Sequence, residues 1–461
     1  MSDKRQKTRQ MMLAFSEESR GEAPSASGGG SESLAVKRQT ESPAPSTERL
    51  MEEVAERENL NAAYKRVKAN GGSPGIDGMT VQEFGAYLKE HGAAIRQRLL
   101  EGTYEPQPIK RVEIPKPDGG MRKLGIPTAV DRFVQQAVMQ VLQTRWDRTF
   151  SRHSYGFRPN RSAHDAVAQA QRYVAEGYRW IVDIDLEKFF DRVNHDILMG
   201  RVAKRITDKR VLKLTRAFLG AGVMENGLTS PTDEGTPQGG PLSPLLSNLL
   251  LDDLDRELER RGHRFTRYAD DCNIYVRSAR AGQRVMEGVC AFLTNTLKLK
   301  VNEAKSAVAR PWERKFLGFS FTNHKKDPKR RIAPKALLRF KERIREITRR
   351  TRGVDQETMV KQLGTYLTGW RGYFAFCQTP FVLRDLDSWI RRRLRGVVWK
   401  QWKRGRTRFA ELRRRGVTKD SAASAAGSPH GPWRLSRSPA LSTAFPDAYF
   451  ASLGLPRLAP G

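Results

Sequence analysis

The 461-residue chain is long enough for several domains and a sizeable core. It carries 83 Lys and Arg against 51 Asp and Glu, and the net charge of +32 favours a polyanionic partner over a generally basic composition. Cys272, Cys290 and Cys377 lie far apart and form no CxxC pair, which excludes a zinc ribbon and a disulfide framework. Without a long apolar run or a signal core, we expect a soluble, intracellular protein that binds no membrane.

The N-terminal part changes composition near residue 49. Residues 1–48 are rich in Ser, Glu, Pro and Gly, which predicts a disordered tail. The apolar spacing then predicts a helix over 50–69, a Gly/Pro loop over 71–78 and a second helix around 80–100.

A β-hairpin is predicted over 109–127, with its turn at 117–120. Lys116 and Arg122 flank this turn. Paired cations on a hairpin can clamp a triphosphate. By itself, however, the pattern favours solvated surface charges. A helix over 129–148 follows.

The first acidic stretch lies in a predicted strand that begins at Trp180. Apolar residues alternate there with Asp183 and Asp185, so both carboxylates share one strand face. An Asp that faces the core is costly unless its charge is paired or binds a metal. We expect one of the two to have a structural role.

The second acidic stretch, Phe265–Val276, predicts two strands that meet at a tight turn with Asp270 and Asp271 at its tip. An Asp pair alone favours an acidic turn in solvent. Together with the upstream strand, however, it predicts a carboxylate cluster for two Mg²⁺ ions. Such a site aligns an attacking hydroxyl with a leaving pyrophosphate.

The remaining elements complete an α+β layer with helices behind one sheet. The Gly/Pro loop Gly235–Pro244 precedes a helix over 245–258, and its glycines allow close approach to a base pair or nucleotide. A helix over 282–298 and a short strand pair over 316–321 follow.

From residue 329 onward the chain is strongly basic. Residues 329–352 predict an amphipathic helix, and 363–374 predict a second helix whose aromatic stripe is core. Residues 391–415 interleave Lys and Arg with Trp399 and Trp402, which suits phosphate backbones and unstacked bases. The last stretch, 418–461, predicts a small, loosely folded appendage.

Seven sequence blocks in this order resemble those of the reverse transcriptases, or maturases, encoded by bacterial group II introns. The likeness covers roughly residues 50–410. The blocks are Gly71–Gly78, Ile114–Pro127, Ser154–Pro159, Ile181–Asp191, Gly235–Pro244, Tyr268–Asp271 and Phe316–Phe319.

The resemblance implies a right-hand polymerase fold: fingers and a palm, the latter an antiparallel sheet backed by helices, plus an all-helical thumb. Residues 49–150 would form the N-terminal extension and fingers, 151–325 the palm with the catalytic core, and 326–410 the thumb, called domain X in maturases. Residues 411–461 would be a small appendage, with a reduced DNA-binding segment as one reading.

The same resemblance assigns roles to individual residues. The metal aspartate stands five positions before an aromatic residue that excludes the ribose 2′-hydroxyl, which selects Asp185 before Phe190 and leaves Asp183 structural. The implied metal ligands are Asp185, Asp270 and Asp271, for two Mg²⁺ ions with Mn²⁺ as a substitute. The implied dNTP-binding residues are Lys116 and Arg122 on the triphosphate, Phe190, Gln238 beside the nucleotide, and Lys305 as a candidate acid near the leaving phosphates.

The implied activity is RNA-directed DNA polymerisation, with intron RNA, a DNA target or primer and dNTPs as partners, in the bacterial cytoplasm with the nucleoid. The protein would also bind its intron RNA to assist splicing. The Cys-pair and His-rich endonuclease module that some members carry after domain X is not expected, and dimer formation stays open. The alternatives are a splicing-only maturase and another prokaryotic reverse transcriptase, either retron-like or diversity-generating.

Overall fold

The computed structural model describes residues 47–115, 120–225, 228–230, 234–236 and 239–459. Residues 1–46 of the predicted disordered tail lie outside this part of the chain, and so do Lys116 and Gln238. Their predicted roles therefore stay predictions.

The first half of the chain contains the elements up to Arg260. Its helices are α1 Leu50–Val54, α2 Arg57–Asn70, α3 Val81–Glu101, α4 Ala129–Trp146, α5 Ala163–Ala175, α6 His195–Ala203, α7 Lys209–Gly220 and α8 Ser243–Arg260. Its strands are β1 Ile109–Pro115, β2 Met121–Ile126, β3 Trp180–Ile184, β4 Val223–Glu225 and β5 Leu228–Ser230.

The second half is mainly helical. Its strands are β6 Arg264–Tyr268, β7 Asp271–Val276, β8 Ala307–Ala309, β9 Phe319–Phe321 and β10 Arg330–Ile332. Its helices are α9 Ala279–Asn295, α10 Pro334–Ile347, α11 Gln356–Phe374, α12 Pro380–Gln401, α13 Gly405–Arg414, α14 Lys419–Gly427, α15 Pro432–Leu435, α16 Pro439–Ala444 and α17 Asp447–Ser452.

Local sequence signals fix several helix ends. Thr80 and Glu83 form a capping box at the start of α3, and Thr128 caps α4 by accepting from the Asp131 amide. The single helix predicted over 50–69 is wrong, because the chain breaks between α1 and α2. Side chains satisfy the carbonyls freed there: Asn59 Nδ2 donates to the Val54 oxygen at 2.9 Å, and Arg96 Nε donates to the Ala55 oxygen at 2.9 Å.

The strands form three sheets with the orders β2-β1-β4-β5, β10-β9 and β6-β7-β3-β8. The predicted hairpin is confirmed: β1 and β2 pair antiparallel, with Ile114 opposite Arg122. β1 also pairs in parallel with β4. The strand pair predicted within 316–321 is present as a single antiparallel bridge between Phe316 and Phe319, on either side of a turn at Leu317 and Gly318 with positive φ angles of 51° and 81°. β9 also pairs antiparallel with β10.

The chain divides into two compact units. Among the described residues, those within 1–162, 184–272 and 284–307 form unit 1, and those within 163–183, 273–283 and 308–461 form unit 2. In unit 1 the apolar faces of α4 and α8 are buried and contribute Phe133, Val138, Leu142, Leu249 and Leu250 to the core. In unit 2 the core includes Phe340, Leu363, Leu367, Leu394 and Trp399. No helix within the described ranges is long and apolar enough to cross a membrane.

The C-terminal stretch 418–459 is folded, so the expectation of a loose appendage is wrong. Its short helices bury Leu441, Phe445, Phe450 and Leu458 almost completely. The Asp387 carboxylate on α12 accepts hydrogen bonds at 3.0 Å from the backbone N–H groups of Leu458 and Ala459. This segment completes the core of unit 2.

Candidate active site

The turn between β6 and β7 carries the predicted acidic pair. Ala269 and Asp270 form the turn, whereas Asp271 is the first residue of β7 and is exposed. Ala269 has a positive φ angle of 56°, a conformation that costs an Ala free energy relative to Gly. The predicted hairpin is confirmed, and its carboxylates stand at the turn.

A fully buried arginine holds this turn. Arg267, on β6, is 0% exposed and forms an ion pair with Asp255 of α8, whose side chain is also 0% exposed. Its Nη1 donates to the Ala269 oxygen at 2.9 Å and to Asn248 Oδ1 at 2.9 Å. Its Nη2 donates to Ser154 Oγ at 2.8 Å. The turn is thereby tied to α8 and to the segment at Ser154.

The segment Ser154–Arg158 packs directly against the turn. Tyr155 N donates to the Arg267 oxygen at 2.8 Å, and Asn248 Nδ2 donates to the Gly156 oxygen at 2.8 Å. A Cβ at Gly156 would lie 2.3 Å from the Ala269 nitrogen, so only glycine fits there. Buried Arg158 fixes the far end by donating to Asp147 Oδ1 at 2.8 Å and to the Ser154 oxygen at 3.0 Å.

Asp185 lies immediately after β3, and its backbone is held by the chain at 302–306. Its N–H donates to Ser306 Oγ at 3.0 Å, and its carbonyl accepts from the Asn302 N–H at 2.8 Å. The exposed Lys305 stands in the same turn, where its N–H donates to the Asn302 oxygen at 3.1 Å. Hydrogen bonds of the Asp185 backbone therefore connect it to the turn that contains Lys305.

Asp183 has a partner of its own. In unit 2 it forms an ion pair with Arg314, with Nη2 at 2.7 Å and Nε at 2.8 Å from Asp183 Oδ2. This contact satisfies the carboxylate without a metal ion.

The charges of Asp185 and Arg122 both act on the pKa of Asp270. Burial is the main cause that raises the pKa of Asp270, and the charge of Asp185 raises it further, while Arg122 opposes the shift. In the described part of the chain, no three His, Cys, Asp or Glu side chains stand in position to hold a metal ion. The donor set still fits a hard cation, because a bound ion would relieve the repulsion between Asp270 and Asp185.

Phe190 is held by the loop at 234–236. Thr236 N donates to the Phe190 oxygen at 2.6 Å, and Gly235 N donates to the Val193 oxygen at 2.8 Å. A Cβ at Gly235 would lie 2.9 Å from the Phe190 oxygen, so the loop requires its glycine. Phe190 also lines a cavity of about 610 Å³ together with Gly239 and Gly240.

Sequence reasoning missed the residues that hold the turn, namely Arg267, Asp255 and Asn248. The signal was available, because Arg267 is a cation inside a strand flanked by Phe265 and Tyr268. A charged residue in a strand is far more often solvated than buried, so this signal alone is weak.

Two family models match this chain. Residues 114–321 match "Reverse transcriptase (RNA-dependent DNA polymerase)", and residues 337–416 match "Group II intron, maturase-specific domain". The α+β fold with its carboxylates at a hairpin turn is thus that of a template-directed polymerase.

Three curated proteins are similar in sequence to this chain. Protein YkfC of Escherichia coli is 32% identical over 318 residues, which cover 60% of this chain and 82% of that protein. The group II intron-encoded protein LtrA of Lactococcus lactis is 30% identical over 323 residues, 56% of this chain and 54% of LtrA. The putative COX1/OXI3 intron 1 protein of Saccharomyces cerevisiae is 34% identical over 208 residues, 43% of this chain and 24% of that protein.

The chain therefore belongs to the family of reverse transcriptases and maturases encoded by group II introns. It spans about half the length of LtrA. The family generally uses divalent metal ions.

Proposed function

We propose that this chain copies its intron RNA into DNA, and that Asp185, Asp270 and Asp271 form the catalytic centre. The observation that carries the proposal is the position of Asp270, half-buried in a fixed turn and within electrostatic reach of Asp185. In the reaction a primer 3′-hydroxyl attacks the α-phosphate of a dNTP, and pyrophosphate leaves.

The three carboxylates would hold two Mg²⁺ ions, which activate the hydroxyl and neutralise the phosphate charge when bound. The chain's own contribution is to fix where these oxygens stand. Asp185 is anchored at both its backbone N–H and its carbonyl, and the turn at Asp270 is anchored through Arg267. Positioning of this kind supplies much of the catalysis in phosphoryl transfer.

The remaining predicted site residues act on the nucleotide. Arg122 on β2 and Lys116 would bind the triphosphate, and Gln238 would lie beside the nucleotide. Phe190, fixed by Thr236, would exclude the ribose 2′-hydroxyl. Lys305, in the turn tied to Asp185, would donate a proton to the leaving pyrophosphate.

The test is dNTP incorporation on poly(rA)/oligo(dT) with Mg²⁺, comparing the wild type with Asp270→Asn. Loss of a carboxylate that touches the reacting centre is expected to reduce the rate by at least about a thousandfold, or about 4 kcal/mol. Asp183→Asn is the matched control, because Asp183 is a carboxylate on the neighbouring strand that pairs with Arg314 instead. Equal loss in both variants would contradict the assignment.

We further propose that the basic helices of unit 2 bind the intron RNA and assist splicing. Support comes from the crowding of cations between α10 and α12, where burial, Arg350 and Arg345 lower the pKa of Arg393 to about 10. Such crowding is relieved by phosphate oxygens.

Intron-RNA affinity should therefore fall steeply with salt. An affinity that stays flat as salt rises would refute the basic-surface argument. If the wild type binds intron RNA but incorporates no dNTP, the splicing-only reading is correct.

A further inference from the structure

The hairpin of β1 and β2 is packed at its base and exposed toward its other end. Ile109 at the start of β1 is 3% exposed, whereas Ile114 and Met121 are 44% and 50% exposed. β4 pairs with β1 next to the base, at Ile109 and Lys110. Arg122, opposite Ile114, therefore stands about 13 Å from the base, which is the length of four strand residues.

One buried carboxylate binds the chain on both sides of this hairpin. Asp131, in the first turn of α4, is 1% exposed. Before β1, Tyr104 Oη donates to Asp131 Oδ1 at 2.8 Å, and Gln107 N donates to Oδ2 at 3.1 Å. After β2, Thr128 Oγ1 donates to Oδ2 at 2.7 Å. We call these four residues the Asp131 clamp.

The clamp has a cost that its hydrogen bonds offset. Burial raises the pKa of Asp131, and its three hydrogen bonds oppose that shift. A carboxylate suits this position because its two oxygens accept from all three donors at once. The network therefore specifies one arrangement of the two chain segments on α4.

Prolines make both connections to the hairpin stiff. Gln107 lies between Pro106 and Pro108, and Pro127 directly follows β2. Proline has a fixed φ angle and no N–H, so the Gln107 N–H is the one amide donor of residues 106–108. Since that donor is bound to Asp131, the position of α4 is passed directly to the start of β1.

We propose that Asp131 is a positioning residue for the polymerase reaction, because it sets the orientation of the β1–β2 hairpin and so the place of the Arg122 guanidinium. A rotation of about 5° at the base would move the backbone at Arg122 by about 1 Å, enough to weaken its contact with a substrate group. The charge of Arg122 acts on Asp270, so the hairpin presents this cation to the proposed site. The inference rests on the proposed function, which assigns Arg122 to the triphosphate.

Two variants weaken the clamp to different extents. Asp131→Asn keeps the shape of the side chain but offers one acceptor oxygen to three donors. Tyr104→Phe keeps the buried ring and removes a single donor. The matched control is Asp208→Asn. Asp208 is also buried at the start of a helix and accepts from the Met51 N–H at 2.9 Å, but it joins α1 to α7 and does not bind the hairpin.

The first readout is single-nucleotide incorporation with Mg²⁺ over a range of dNTP concentrations. Asp131→Asn should raise the KM for dNTP about tenfold and Tyr104→Phe about threefold, with kcat within about threefold of wild type, because a displaced cation binds the triphosphate less well. Asp208→Asn should leave this KM within about twofold of wild type, even where its melting temperature falls as far. A wild-type KM in Asp131→Asn, or an equal rise in Asp208→Asn, would overturn the proposal.

A double variant tests whether Asp131 acts through Arg122. In an Arg122→Met background, Asp131→Asn should raise the KM for dNTP by less than about threefold, since the cation that it positions is already absent. A full tenfold rise in that background would show that Asp131 acts on the reaction by another route, which contradicts the proposal.

The second readout measures the orientation of the hairpin and needs no catalysis. Spin labels on Met121→Cys in the hairpin and on Ala93→Cys, at an exposed position of α3, report one distance within unit 1 by double electron–electron resonance. The partly exposed Cys290 is replaced by Ser in every variant. The distance distribution should broaden or shift in both clamp variants and stay unchanged in the Asp208→Asn control.

The two readouts separate this inference from the proposed function. A wild type that incorporates no dNTP refutes the polymerase proposal, and the label distances then still decide whether Asp131 orients the hairpin. A distance distribution that is the same in the wild type and in both clamp variants refutes the positioning role of Asp131, whatever the activity.

Discussion

A buried Arg–Asp pair lies in each unit, and the two pairs differ in how completely they are hydrogen-bonded. Arg267 of unit 1 donates to Asp255, Asn248, Ser154 and the Ala269 carbonyl. Arg391 of unit 2 is 2% exposed and lies 3.3 Å from Asp387.

The Nε and Nη2 atoms of Arg391 have no hydrogen-bond partner among the described residues, although Nε lies 3.4 Å from Asp447 Oδ1 in an ion pair. The hydrogen-bonding groups of Arg391 in unit 2 are therefore only partly satisfied, whereas Nε, Nη1 and Nη2 of Arg267 in unit 1 all donate hydrogen bonds. A fully satisfied buried network specifies one geometry, which suits the turn that carries the proposed catalytic carboxylates. The pair in unit 2 instead holds the C-terminal segment, through the bonds from Leu458 and Ala459 to Asp387.

The largest effect is expected from Arg267→Met, which leaves the Asp255 charge buried and unpaired. We expect unfolding free energy to fall by about 3–5 kcal/mol. The double variant Arg267→Met with Asp255→Leu should recover most of this stability but not dNTP incorporation, because the Ala269 carbonyl still lacks its donor. Denaturant unfolding and primer extension measure the two quantities.

Arg260→Met on the same helix as Asp255 is the control, because its ion pair with Glu257 is at the surface. It should cost less than about 1 kcal/mol. Recovery of activity in the double variant would show that the pair does not position the turn.

A smaller effect is expected at the other pair. Asp387→Asn keeps one acceptor but removes the charge, and should cost about 1–3 kcal/mol. The amides of Leu458 and Ala459 should exchange faster, which hydrogen-exchange mass spectrometry of the C-terminal peptide measures. Exposed Asp385→Asn on the same helix is the control. Unchanged exchange in Asp387→Asn would mean that its carboxylate does not hold this segment.

The pH dependence of the metal-free protein provides a third test. Burial and Asp185 raise the pKa of Asp270, so its folded value exceeds the ordinary Asp value of about 3.9. Ionising Asp270 therefore costs stability, which declines as pH rises through the interval between the unfolded and folded pKa values.

Asp185→Asn should lower the pKa of Asp270, and Arg122→Met should raise it, as followed by the NMR titration of the Asp270 carboxyl carbon. Shifts in the opposite directions would mean that neither charge acts on Asp270 as the geometry indicates.

The smallest effect is expected at Asp183 and Arg314, a partly exposed pair. A double-mutant cycle with Asp183→Asn and Arg314→Met should give a coupling of about 0–1 kcal/mol. Incorporation should remain within about twofold of wild type in each variant. A coupling free energy as large as that of the buried Arg267–Asp255 pair would contradict the expectation that the partly exposed Asp183–Arg314 pair stabilises the fold much less.

The sequence predicted the elements around the site well, because their signals are local. The alternation around Asp185, the turn chemistry at Asp270 and the hairpin with Arg122 each depend on a few adjacent residues. The charge of Arg267 gave only a weak sign of burial, because its partners Asp255 and Asn248 lie on helix α8 and not on its own strand. The packing of 418–459 was missed because its helices are too short to show a periodicity, and their apolar residues find a core only when they pack against α12, α13 and one another.

The contact between Gly156 and Ala269 sets opposite mutational tolerance at two neighbouring positions. Any side chain at position 156 would occupy the space of the turn's backbone, so this position accepts no substitution without moving the turn that carries Asp270. Position 269 already has a backbone conformation that glycine adopts freely, so Ala269→Gly removes strain. A library that randomises both positions should return glycine at the first and a choice of small residues at the second.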